Sequence, residues 1–196
     1  MARIDPLPRD ELAEFEPGFA MVEQMMGFVP NSMFTMPRVP GLLPAFQAMG
    51  AAIMTGNVIS RELTQMVAQI ASTAAGCRYC QAHTAHTGER AGVSAEKLAD
   101  VWLFETSDLF DGAERAALRL AFKAASQPNA ATDEDFAACA EFFDEAQISA
   151  IVATVSFFGF LNRWNDTMAT DLEEQPTAFG DRVLADGGWE AGKHAR

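Results

Sequence analysis

The sequence predicts an all-α protein built as a single domain, and three observations carry that expectation. Apolar residues recur at helical spacing, as in Leu63, Met66, Val67, Ile70 and Ala71, the stripe that one face of a helix buries. Ser, Thr and Asp stand where such stretches begin and Gly where they end, the residues that satisfy free backbone groups at helix termini. No stretch alternates apolar and polar residues as a half-buried strand does.

Taken in order, residues 1–18 are polar and punctuated by Pro6, Pro8 and Pro17, which predicts an irregular arm with a helical turn over 9–15. A short helix over 19–26 starts near Pro17 and stops at Gly27, with Met21, Met25 and Met26 assigned to the core. Pro30, Pro37, Pro40 and Pro44 exclude a long helix across 31–44 and leave one turn at 32–35. Pro44 opens a helix that runs to Thr55. Ser60 caps the next, which ends at Gly76, and another runs from Arg78 to Gly92. Ser94 caps a helix through Leu98, Val101 and Trp102 to Phe104. Asp111 with Glu114 has the pattern of a capping box for a helix to Ser126. Thr132 caps a helix with Phe136, Cys139, Ala140 and Phe143 on one face. The helix over 145–165 is the most apolar, which places it centrally or at a subunit interface. After Met168 the pattern decays, and 170–196 reads as an irregular tail in which His194 is solvated. Cys139 reads as a buried structural thiol.

A length of 196 residues suits one sizeable core and is short for two domains. Apolar residues at 49% and charged residues at 21% are the profile of a folded soluble chain. The net charge of −13 argues against nucleic acid and anionic membrane as partners, since both need a basic patch. No basic leader with an apolar run opens the chain, and the apolar segment 148–161 is too short to span a bilayer, so the expected setting is cytoplasmic. Three cysteines, an odd number, do not fit a secreted disulfide framework; a close pair in a reducing compartment points to catalysis.

That pair lies in Cys77-Arg78-Tyr79-Cys80-Gln81-Ala82-His83-Thr84-Ala85-His86. Gly76 breaks the preceding helix, so the cysteines open the next one. Unpaired N–H groups and the positive end of the helix dipole stabilise an anion there, which favours the reactive thiolate. Cysteines at i and i+3 share a helix face and can join after modest adjustment. The physical reading is a reversible dithiol with imidazoles beside it. Zinc fits poorly: on a continuous helix each step of three falls short of a full turn by about 60°, so Cys77, Cys80, His83 and His86 fan apart instead of converging on one ion. Covalent haem needs His directly after the second Cys, where Gln81 stands. Helix geometry favours Cys77, nearer the positive end, as the attacking sulfur.

The segments Arg61-Glu62-Leu63 and Gly76 to His83 resemble the alkylhydroperoxidase D-like (carboxymuconolactone decarboxylase) superfamily. Asp111 to Leu118, Thr132 to Phe143 and Asn162-Arg163 are similar to its peroxidase-related members, so the resemblance spans about residues 30–170. It implies helical hairpins packed in a homo-oligomer, a trimer or hexamer. It also implies reduction of hydroperoxides, with Cys80 attacking and Cys77 resolving. No cofactor or metal is implied; an external dithiol, a lipoyl or thioredoxin-like carrier, returns the electrons. His83 or His86 would move protons, with Glu62 orienting the ring or shuttling the proton onward. The chain departs from the family pattern at Gln65 (usually Glu), Thr84 (usually His) and Tyr79 (His in the best-studied relay). A general dithiol–disulfide oxidoreductase, and a non-catalytic helical binding protein with structural or metal-binding cysteines, are the alternatives.

Overall fold

The computed structural model describes residues 2–195, and every regular element among them is helical. A 3₁₀ turn at Arg9–Phe15 leads into helix α1 (Glu16–Met26), with Pro17 in its first turn. The buried face of α1 is Phe19, while Met21 and Met25 are exposed, against their assignment to the core. Single 3₁₀ turns occupy the proline-rich stretch at Asn31–Phe34 and Met36–Arg38, and α2 follows (Leu42–Met54). Leu12, Phe19, Val29, Met33, Met36 and Leu43 form an N-terminal apolar cluster beside the main core.

The centre of the molecule is an antiparallel hairpin of α3 (Arg61–Ala74) and α4 (Arg78–Ala91). The Ser60 hydroxyl accepts the Leu63 N–H at 3.1 Å and starts α3. Leu63, Met66, Val67, Ile70 and Ala71 are buried along it as their spacing predicts, each large side chain contributing about 1.5–3 kcal/mol by leaving water. At Gly76 the backbone turns through φ +71°, a left-handed conformation open to glycine, and the chain reverses into α4.

Beyond the hairpin lie α5 (Ala95–Ala99), α6 (Gly112–Ala125), α7 (Asp133–Ala140) and α8 (Glu145–Met168). Capping boxes start α6, α7 and α8 from Asp111, Thr132 and Asp144. The expected helix from Ser94 to Phe104 is two pieces, α5 and a 3₁₀ turn at Val101–Leu103 that leaves Trp102 and Leu103 exposed. Helix α7 stops at Ala140, so Cys139 is buried but Phe136 faces outward. Helix α8 packs across α2, α3, α4 and α6. At 24 residues it is longer than its apolar centre suggests, and it alone among the described residues is long and apolar enough to cross a membrane.

The largest departure from expectation is after Met168. Ala169, at φ +50°, ends α8 in a left-handed turn. The chain then forms α9 (Glu174–Phe179), a π-helical turn at Gly180–Leu184 and two 3₁₀ turns, and lies back on α4. The predicted irregular tail is thus an ordered cover. Phe179, Leu184 and Trp189 bury their side chains in the main core, and the Trp189 indole N–H donates to the Arg78 carbonyl at 3.1 Å. These anchors stand five residues apart, a spacing that matches neither a helical stripe nor strand alternation, so periodicity does not reveal them.

Candidate active site

Cys77 is the N-cap of α4, and its sulfur accepts the Cys80 N–H at 3.4 Å. Both thiols are reduced and buried, and the Cys80 thiol hydrogen-bonds with Cys77. The two sulfurs are therefore neighbours at the mouth of one helix, as the spacing implies. Their burial reverses one electrostatic expectation. Desolvation, and then the Cys77 sulfur, push the Cys80 thiol well above the ordinary thiol range, against a hydrogen bond from Asn165 Nδ2 at 3.6 Å. Loss of water shifts a fully buried group by up to about 3–5 pK units. The helix dipole offers about 1 kcal/mol, under one unit. Burial wins, and Cys80 rests as a thiol.

His83 is buried one turn on, and its partner is not the expected one. Its Nε2–H donates to Glu173 Oε2 at 2.5 Å. Glu173 also accepts the Tyr79 hydroxyl at 2.9 Å and the Asn31 N–H at 2.5 Å. Burial pushes the Glu173 carboxyl up, but His83 and the backbone N–H groups of Asn31 and Glu173 outweigh it and hold it below the usual carboxylate range. Tyr79 is pushed well upward, first by burial and then by Glu173, and stays protonated. Phe28 stacks on His83 with centroids 5.3 Å apart, and reaches His86 at 5.7 Å, while Phe179 meets His86 edge-on at 6.1 Å. His86 Nδ1 is buried without a hydrogen-bond partner among the described residues, and burial lowers the basicity of the ring.

Glu62 is exposed on the first turn of α3, beside Gly92 at the far end of α4. The hairpin is antiparallel, so Glu62 stands about a helix length, roughly 20 Å at 1.5 Å per residue, from the cysteines. It cannot orient an imidazole there. Gln65 accepts the Thr87 hydroxyl at 2.8 Å. Thr84 donates to the Cys80 carbonyl of its own helix at 2.8 Å, so neither residue supplies the proton relay that its family counterpart would. Sequence reasoning missed Glu173, Asn165, Asp166 and His194, all contributed by α8 and the returning chain. The pair Glu173-Glu174 reads as tail punctuation, and only folding brings it to His83. Two surface clefts, of about 270 Å³ beside Ile53 and Val58 and about 430 Å³ beside Trp102 and Phe122, touch none of these groups.

A family model described as carboxymuconolactone decarboxylase matches residues 40–123. The debrominase Bmp8, solved as a cysteine-to-alanine variant in complex with 2,3,4-tribromopyrrole, superposes with a TM-score of 0.87 at 37% identity, covering 92% of this chain and 96% of that one. Its apo form gives 0.85 and 38%, with 91% and 96% covered. The chain belongs to the carboxymuconolactone decarboxylase superfamily. Within the superfamily, the alkylhydroperoxidase D core of an uncharacterised peroxidase-related protein from Ralstonia eutropha JMP134 has the same fold, with a TM-score of 0.76 at 24% identity over 89% of this chain and 94% of that one. No curated protein sequence matches the chain. The superfamily and the site geometry together make this a thiol-based redox enzyme of alkylhydroperoxidase D-like fold.

Proposed function

We propose that the protein is a dithiol-dependent reductase that delivers two electrons from Cys77 and Cys80 to an apolar aromatic substrate, with a brominated heteroaromatic as the substrate class. The observation that carries this is the pair of reduced, adjacent sulfurs at the start of α4, one helical turn before His83, whose ring and that of His86 pack on Phe28 and Phe179. The 37% identity to a debrominase across nearly the whole chain supports the substrate class.

In this reading Cys80, deprotonated on substrate binding, takes bromine from carbon: an S–Br bond forms, the C–Br bond breaks, and the carbanion picks up a proton. Cys77 then displaces bromide from Cys80 and the disulfide closes. The net change is Ar–Br plus two thiols to Ar–H, a disulfide, bromide and a proton. An external dithiol such as a lipoyl or thioredoxin-like carrier restores the pair. Glu173 fixes the His83 ring over the site, and His83 or His86 returns the proton to carbon.

A second reading, hydroperoxide reduction, uses the same two thiols. Attack on the O–O bond releases an alcohol and leaves a sulfenic acid on Cys80, and Cys77 expels water from it as the disulfide forms. The Cys-x-x-Cys with a downstream His favours it. Turnover with a dithiol reductant decides between the two, measured as bromide release from a bromopyrrole against consumption of an organic hydroperoxide. The first reading expects bromide release that Cys77→Ser and Cys80→Ser both abolish while Cys139→Ser keeps it. Equal rates in all variants would remove the chemistry. The exposed apolar side chains of Trp102, Leu103, Phe136 and Phe142 support a homo-oligomer, the trimer or hexamer that the family resemblance implies; light scattering of the purified protein tests it.

A further inference from the structure

One buried histidine, His194, takes no part in the chemistry proposed above. It is fully buried, against the solvated position the sequence suggests, because the returning chain folds it back onto α4. Its Nδ1 is 2.8 Å from the Thr170 carbonyl oxygen, which only accepts, so Nδ1 carries the hydrogen. In the neutral ring Nε2 is then a bare lone pair, and Nε2 is buried without a hydrogen-bond partner among the described residues. Cys77 Sγ, an Asp166 carboxylate oxygen and a His194 ring nitrogen lie within 4.8 Å of one another. With Nδ1 held by Thr170, Nε2 is the nitrogen free to act in that cluster.

We propose that His194 is the proton acceptor for the Cys77 thiol, so that the C-terminal turn completes the active site from outside the Cys-x-x-Cys helix. The inference rests on the dithiol reading and deepens it: His83 serves the substrate side, and His194 serves the resolving sulfur. In the step, the Cys77 S–H bond breaks, Nε2 takes the proton, and the thiolate attacks the brominated Cys80 sulfur, so that the S–S bond forms as the S–Br bond breaks and bromide leaves. The resulting imidazolium faces Asp166 Oδ1 at 3.7 Å. Asp166 also pairs with Lys193 at 2.7 Å, so the carboxylate is held without closing on the ring. The groups facing His194 are Cys77 and the Tyr79 ring from α4, Asp166 from α8, the Thr170 carbonyl, and Lys193 on its own turn. Burial, the largest influence, holds the ring below the usual imidazole range, so it is an unprotonated base at neutral pH. The ring is positioned by two contacts: the Leu172 N–H donates to the His194 carbonyl at 2.9 Å, and the left-handed turn at Ala169 points the Thr170 carbonyl at Nδ1.

The test is a ring-nitrogen and Cys Cβ NMR titration of the full chain, wild type against Cys77→Ser. The proposal expects the hydrogen on Nδ1 at neutral pH, one shared pH step for His194 Nε2 and Cys77 Cβ, and a His194 step displaced by about one pH unit or more in Cys77→Ser. Identical His194 titrations in the two proteins would overturn it, as would one zinc per chain whose loss requires Cys77→Ser or His194→Asn. In His194→Asn the side-chain amide keeps a donor for Thr170 and removes the base. After one equivalent of hydrogen peroxide, quenched mass spectrometry should then show disulfide closure slowed about a hundredfold, the scale of general-base catalysis. Unchanged closure with the tail still docked, as reported by Trp189 fluorescence, overturns the proposal. Should the variant undock the tail, the wild-type and Cys77→Ser titrations decide alone. Neither NMR readout needs a substrate, so absent turnover with an intact Cys77–His194 coupling removes the substrate reading only.

Discussion

Two histidine–carboxylate pairs flank the start of α4, and they are built in opposite ways. His83 and Glu173 are both buried, 2.5 Å apart, and the carboxylate has two further donors in Tyr79 and Asn31. His194 and Asp166 stand 3.7 Å apart, the carboxylate is half-exposed and shared with Lys193, and the imidazole keeps a free nitrogen. The first pair is closed: its hydrogen bonds tie the returning chain at residue 173 to α4 and to the loop at residue 31, and the ring is fixed in orientation. The second is open, with capacity left for a proton. Proximity of a carboxylate to an imidazole therefore does not define a role; what else each atom already bonds does.

The comparison breaks most readily at Glu173. Glu173→Gln leaves Tyr79, His83 and the Asn31 N–H without a charged acceptor in a buried site. Chemical denaturation should show a loss of about 3 kcal/mol, within the range for breaking a buried pair. The pH dependence gives a sign to check. The folded-state pKa of Glu173 is depressed, so its contribution is present above the unfolded value of about 4.3 and is lost as pH falls through the folded value. The gap between wild type and Glu173→Gln should therefore narrow below about pH 4. Asp166→Asn is the matched control. Its side chain is 41% exposed and its pairs are screened, so denaturation should shift by less than about 1 kcal/mol. A loss as large as that of Glu173→Gln would erase the distinction between closed and open pairs.

These pairs mark where the sequence stops being legible. Helical periodicity, Ser60, Asp111 and the break at Gly76 are local signals, and α3, α4, α6 and α8 appear where those signals put them. The two cysteines at the head of α4 are local in the same sense, three residues apart. The carboxylates are not. Glu173 meets His83 across 90 residues, and His194 reaches Asp166 through a chain reversal at Ala169. Neither contact repeats with any period, and α9, at six residues, is too short for an amphipathic stripe to stand out. Glu62 was the nearest carboxylate in sequence to a family-like position, and the antiparallel turn of the hairpin carries it away from the cysteines.

Acid sharpens the contrast between the histidines. Burial lowers both His86 and His194, so below the unfolded value of about 6.5 the unfolded chain binds protons that the folded one resists. Stability should rise with pH through that window and fall from pH 7 toward pH 5.5. His194→Asn and His86→Asn should each flatten part of the slope in urea denaturation at several pH values. If the wild-type slope is already flat there, both rings take up protons in the folded state and the open pair is not a neutral base.

The smallest expected effect isolates which carboxylate belongs to the site. Glu62→Gln changes an exposed side chain at the opposite end of the hairpin from Cys77. Surface substitutions of this kind fall within about ±0.5 kcal/mol, so both denaturation midpoint and turnover should match wild type. Glu173→Gln in the same assay should lose turnover as well as stability, because the His83 ring loses the carboxylate that orients it. Were Glu62→Gln to slow turnover while Glu173→Gln did not, the proton would travel along α3, and the role given to Glu173 would pass to a residue the fold places far from either thiol.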